Sequence, residues 1–273
     1  MSADDSGRTT TNGTPSRLLQ DLPAPAVASS LNADSIVVLP IGAVEAHGPH
    51  LPLSTDLEIA AFAVTRLLQI AGTELDLWGL PPVAFSKSNE HAWSAGTVWL
   101  SASTMLSVFD DIGRSLATLP SRKVLFVNAH GGNSALLQVI CRDLRLAYGL
   151  QTFLAHPFAS TDQGNELGMG IHGGHDETSM LLHVRPDLVD MTRAARAVPE
   201  HLAANRHLKW GGSVSFGWLS SDFEPVPPPG LEPLGVIGDP THATAQHGAV
   251  LWERVLADLV DACREIRAWN PRR

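Results

Sequence analysis

Four side chains with metal-ligand chemistry, Glu45, His47, His50 and Asp56, lie within the fifteen residues GAVEAHGPHLPLSTD (42–56). Glu45 and His47 alternate, so both can project the same way from an extended chain, and Asp56 follows nine residues later, where a helical pattern begins. Carboxylate and imidazole donors together suit a divalent ion such as zinc, manganese or iron, and a carboxylate can bridge two ions. His130, at the end of a second apolar run, LFVNA, is the candidate fourth ligand. A third cluster, GIHGGHDETSMLLH (170–183), adds His172, His175, Glu177 and His183. Here Asp176 and Glu177 can also be read as acids in a first helical turn, held there by the helix dipole alone, and His183 as an ordinary core or surface histidine.

The elements that must position these groups are legible as apolar runs. SIVVLPIG (35–42) and KVLFVNAHGG (123–132) are continuous and β-branched, as expected of strands covered on both faces, and LQTFLAH (150–156) is a third strand candidate. Helical periodicity runs over 56–70, 103–119 and 133–149. Ser103 or Thr104 would cap the second helix, Asn133 or Ser134 the third, and Gly149 would end it. This alternation predicts an α/β architecture with a largely parallel sheet between layers of helices. Ligands in such sheets gather beyond the carboxyl ends of the strands, which is where the His-bearing turns fall. The Pro- and Gly-rich stretch 216–240 reads as a long ordered loop or lid before a final helix over 241–268.

Composition narrows the setting. A net charge of −9 without a basic run weighs against nucleic acid and anionic membrane surfaces as partners, and favours a small, neutral or cationic substrate. No apolar signal region opens the chain and no run is long enough to span a bilayer, so a cytoplasmic location is expected. Cys141 and Cys263 sit in helix-like patterns and read as buried thiols of a reducing compartment. Residues 1–22, rich in Ser, Thr, Gly and Asp at their start, are expected to form a tail, with 23–273 a single domain.

With these residues in view, the segments E-x-H-G-P-H-L-P-x-x-T-D (45–56), N-x-H-G-G-N (128–133) and HGGHDETS (172–179) resemble the signatures of the creatininase family of metal-dependent amidohydrolases. NEHAWSAGTVWLS (89–101) and GVIGDPTHATAQHG (235–248) resemble two more of its segments, and the likeness extends from about residue 35 to 267. The resemblance implies a three-layer α/β/α domain, assembly as a homo-oligomer (a hexamer built from dimers), and two divalent ions per subunit, with zinc first and manganese or iron as alternatives. It implies that Glu45 and His130 hold one ion, His47 the other, that Asp56 bridges both, and that His172 is catalytic as the acid that protonates the leaving nitrogen. His50 and His175 would orient ligands or contact substrate, while Glu90, His91 and Trp93 would lie on a loop near the mouth of the site.

The sequence departs from creatinine-hydrolysing members at Gly132, where they carry a carboxylate ligand. We expect Glu177 to replace it, as metal ligand and as part of the catalytic set. Pro157 or Phe158, and Met169, stand where those members enclose substrate with tryptophan, so creatinine is disfavoured as substrate. Trp93, Trp99, Trp210 and Trp218 could line a pocket or anchor a core or interface. The leading expectation is hydrolysis of a C–N bond in a small amide, lactam or formamide. A mycofactocin-type peptidase trimming a peptide C-terminus is the alternative, because HDETSMLLHVRPDLVD (175–190) resembles that branch, although the stretch 211–240 is longer than that branch tends to carry. A non-catalytic metal-binding scaffold is the reading from another class.

Overall fold

The structure is a computed structural model describing residues 16–160, 166–202, 204–208, 214, 219–224 and 233–270. Its helices, in chain order, are α1 (Ala24–Ser30), α2 (Thr55–Leu75), α3 (Ala102–Leu116), α4 (Ser134–Tyr148), α5 (His175–Val184), the single turn α6 (Ser220–Phe223) and α7 (Ala245–Ala268). The strands are β1 (Ile36–Ile41), β2 (Leu77–Gly79), β3 (Lys123–Asn128) and β4 (Gln151–Ala155). All four pair in parallel in the order β2-β1-β3-β4.

Alternation along the strands builds two cores. Ile36 and Val38 of β1 and Leu125 and Val127 of β3 pack against α2 and α7, with Ile59, Leu67, Trp252 and Leu259 in the same cluster. Val37, Leu39 and Ile41, with Val124 and Phe126, face the opposite way onto Phe109 of α3 and Leu137, Ile140 and Leu144 of α4. Both faces of each strand are therefore apolar, which is why the runs read as unbroken hydrophobic stretches. The result is the expected three-layer α/β/α sandwich. No helix among the described residues is long and apolar enough to cross a membrane.

Several boundaries differ from the sequence expectation. Helix α2 continues to Leu75 rather than stopping at 70, because Ala71 and Leu75 stay on the buried face, and it ends where Asp76 turns left-handed at φ 54°. Ser101, not Ser103 or Thr104, caps α3, its hydroxyl accepting from Thr104 N. Asn133 precedes α4 without capping it by side chain, because its amide is held by Asn128 and Ser86 instead. Gly149 ends α4 at φ 65° as expected. The packed chain begins before residue 23: Gly79 N donates to Arg17 O, and Leu19 is buried. Cys263 is buried and Cys141 half-buried, both as free thiols. The expected lid falls partly outside the described residues, as do Trp210 and Trp218.

Candidate metal centre

Parallel pairing puts Ile41 opposite Asn128, so the chains leaving β1 and β3 emerge side by side. The first carries Glu45 and His47, the second His130. Gly42 lets the first turn of α2 close on this edge: a Cβ there would lie 2.6 Å from the Leu57 backbone. That approach brings Asp56, in the first turn of α2, into the space between the two chains. Glu177 arrives from the first turn of α5, where one carboxylate oxygen, Oε2, is anchored by Gly173 N at 2.6 Å. Both helix dipoles favour the ionised acids.

Asp56 faces two histidines. Its Oδ1 lies 3.2 Å from His47 Nε2 and its Oδ2 lies 3.1 Å from His130 Nδ1. Around these stand two donor groups. Glu45 Oε1 is 3.1 Å from His130 Nδ1, completing a Glu45, Asp56 and His130 set, whereas Glu177 Oε1 is 3.7 Å from His47 Nε2. The far nitrogen of each ring has its own acceptor: His47 Nδ1 lies 3.2 Å from Glu45 O, and His130 Nε2 lies 3.0 Å from Lys87 O and 3.1 Å from Glu90 Oε1. Such partners fix ring orientation and leave the inward nitrogen to bind a metal.

The donor set fits divalent cations. Glu45 Oε1 and Oε2 and Asp56 Oδ2 are buried yet accept no hydrogen bond, although His130 Nδ1 lies 3.1 Å from Glu45 Oε1 and from Asp56 Oδ2. An unsatisfied buried polar group costs roughly 1–3 kcal/mol, and more when charged, so converging carboxylates of this kind call for a counter-ion. Charges within the site act in the same sense. Burial pushes the Glu45 carboxyl up to about 7, against the pull of His130. Burial would also raise Asp56, but His47 and His130 outweigh it and hold the acid far below its usual range. Burial alone would lower His47 and His130, yet Asp56 and Glu177 beside the first, and Glu45 and Asp56 beside the second, hold both well above the ordinary imidazole value.

His172 is also here. Its Nε2 lies 2.6 Å from Ala46 O, so that nitrogen carries the proton and Nδ1, 3.9 Å from Glu45 Oε1, presents a lone pair to the site. The ring sits between His47 and His91, with centroids 4.2 Å from each. Burial, followed by the charge on His47, lowers its pKa to about 4.

Two further members were expected only at the mouth. Glu90 and His91, from the turn Asn89–His91, are 4% and 1% exposed and belong to the cluster itself. His91 Nε2 is 3.7 Å from Glu45 Oε1, and Glu90 pairs with His130 and, at 2.9 Å, with Lys87 Nζ. Burial would raise Glu90, but His130 outweighs it and brings the acid down to about 2. The resemblance of 89–101 to a family segment brought Glu90 and His91 only to the mouth of the site; nothing in their spacing signals that they are buried in the cluster.

The other candidates sit further out. His50 Nε2 pairs with Thr178 Oγ1 at 2.9 Å and ties the 45–56 turn to α5. His175 turns to Asp176, and His183 packs edge-on to Phe62. Trp93 donates to Ser220 Oγ at 2.6 Å, and both Trp93 and Trp99 are exposed. The cavity in front of the centre has a volume of 310 Å³ and is lined by Glu45, Asp56, His130, His172 and Glu177 with Gly131, Gly132, Phe158 and Ile171. Of the positions expected to enclose substrate, Phe158 lines this cavity, whereas Met169 does not and is buried with Phe223 and Ile237.

Comparison with known proteins places the whole chain rather than single residues. The family described as Creatininase: creatinine amidohydrolase matches residues 20–263. The mycofactocin precursor peptide peptidase of Mycobacterium ulcerans (strain Agy99) is 36% identical over 245 residues, covering 86% of each chain. The creatinine amidohydrolase of Pseudomonas putida is 27% identical over 254 residues, covering 85% of this chain and 90% of its own. Among solved structures, one described as Creatininase Mn superposes with a TM-score of 0.67 at 22% identity, covering 92% of this chain and 98% of its own, a likeness of fold.

Proposed function

The chain belongs to the creatininase family of hydrolases, and from that premise we propose that it cleaves an amide C–N bond with two divalent ions held around Asp56. The observation that carries this reading is the position of Asp56, with one oxygen toward His47 and the other toward His130. Glu45 and His130 would hold one ion, His47 and Glu177 the other, and Asp56 both. Zinc suits the mixed imidazole and carboxylate donors, with manganese or iron as alternatives. When bound, such ions lower the pKa of water toward neutrality and polarise a carbonyl group.

The chain's own groups supply the proton chemistry. His172, with Nε2 committed to Ala46 O, would take at Nδ1 the proton of the water that attacks the carbonyl carbon and return it to the nitrogen that departs as the C–N bond breaks. With Nδ1 left to accept, it serves as base before acid. Glu90 and the Lys87 carbonyl hold the His130 ring in register, and Gly173 does the same for the Glu177 carboxylate.

For the substrate, the relatives at 36%, 33% and 34% identity all carry the name mycofactocin precursor peptide peptidase, which supports the end of a peptide chain over a free small amide. The second reading, a small amide, lactam or formamide, is favoured by the cavity volume of 310 Å³, at the low end for ligand pockets. The zinc- or manganese-loaded protein, offered peptides with free C-termini alongside small amides and lactams, tests both. Peptide shortening read by mass spectrometry is expected. Turnover of small amides alone would move the assignment to the second reading, and a chain that holds no divalent ion and turns over neither would refute the enzyme.

A further inference from the structure

A second group of donors stands outside this centre. His175 and Asp176 open α5, and His247 lies in the first turn of α7, where its N–H donates to the Thr244 cap at 3.1 Å. His175 Nδ1 and His247 Nε2 approach the same oxygen, Asp176 Oδ1, at 3.2 and 2.7 Å. The three ligand atoms lie within 4.8 Å of one another. The two rings, with centroids 4.8 Å apart and planes at 49°, converge on the carboxylate rather than stacking.

We propose that His175, Asp176 and His247 form a separate site for one divalent cation of borderline character, such as zinc or cobalt. Ligand atoms about 2.1 Å from a tetrahedral ion stand about 3.4 Å apart, close to the His175–Asp176 spacing of 3.2 Å, while the His247–Asp176 spacing of 2.7 Å would have to widen as an ion enters. A second carboxylate, Glu166, accepts the backbone N–H of His175 at 2.8 Å and that of Asp239 at 2.6 Å, so two acids offset an ion placed near two helix N-termini. Three protein ligands leave a coordination position open, and Asp176, one of the three, also lines the cavity that Glu177 lines.

The test uses the full chain loaded with zinc, desalted and analysed for metal content, alongside His247→Gln, which keeps a polar partner for Asp176 but removes the imidazole. The variant is expected to hold one equivalent fewer than the wild type; equal metal content would overturn the site and establish a hydrogen-bonded His–Asp–His group instead. A second variant, His247→Cys loaded with cobalt, reads this position alone: a thiolate-to-cobalt charge-transfer band absent from the wild type is expected, and a folded variant without it would contradict the proposal. Because that band does not depend on Glu45 or Asp56, it stands or falls separately from the centre around Asp56.

Discussion

The Glu90 carboxylate occupies the space that a side chain at Gly132 would need: a Cβ there would sit 1.6 Å from Glu90 Oε1 and 2.5 Å from His130 Nε2. Glu90, from the turn Asn89–His91, thus holds the His130 ring rather than replacing the ligand carboxylate missing at Gly132, and Glu177 stands on the His47 side, where that replacement is expected. Gly132→Ala should push Glu90 off His130 and weaken zinc binding by about 10–100-fold, as loss of a ligand-orienting partner does. A competition titration with a chelating dye measures this, and an unchanged affinity would contradict the role given to Glu90.

Asp56→Ala removes the carboxylate that faces both His47 and His130. The variant should lose both ions of the centre on desalting, together with activity. Retention of both ions, read by elemental analysis, would show that Asp56 does not bridge.

On the proposed reading His172 Nδ1 moves a proton, with Glu45, His47, Asp56, His130 and Glu177 left to hold metal. His172→Ala should therefore keep the metal content of the centre while kcat falls by about 10²–10⁴-fold. A parallel loss of metal would reassign His172 as a ligand.

Asp76 serves stability. Its carboxylate accepts from Arg17 Nη1 and Trp78 Nε1 at 2.9 Å, from Asn32 Nδ2 at 3.0 Å and from the Ser35 hydroxyl. Burial would raise its pKa, but Ser35, Arg17 and Trp78 outweigh it and hold it below the ordinary carboxylate value. A folded-state pKa below the unfolded one contributes stability that is fully present above the unfolded value, about 3.9, and lost as pH falls through the folded one. Asp76→Asn should lower stability by about 1.5–3 kcal/mol at neutral pH, the range for hydrogen bonds to a charged group. Urea unfolding of both proteins at pH 7 and near pH 3 should show the gap narrowing in acid; a gap independent of pH would contradict the charge-based account.

The sheet and most helices were legible because each strand is buried on both faces, and runs such as IVVLPI and KVLFVN leave no competing pattern. The strand β2 was not, since three residues, LWG, carry no period and pair only because β1 offers an edge. In the site, Glu45, His47, Asp56 and His130 could be grouped in advance because each follows or opens a recognisable element. Glu90 and His91 could not, because a short turn gives no face to project from, and their burial depends on the chain folding back over Gly132. Ser101 was passed over as the cap of α3 because Ser101, Ser103 and Thr104 are interchangeable by type, and only the backbone entry angle selects among them.

The most direct measurement is anomalous diffraction at the zinc edge from crystals of the zinc-loaded protein. The account predicts two peaks about 3.5–4 Å apart on either side of the Asp56 carboxylate. One should lie against Glu45 and His130, and the other against His47 and Glu177. A map with no peak at Asp56, or with zinc bound only away from it, would contradict the two-ion centre.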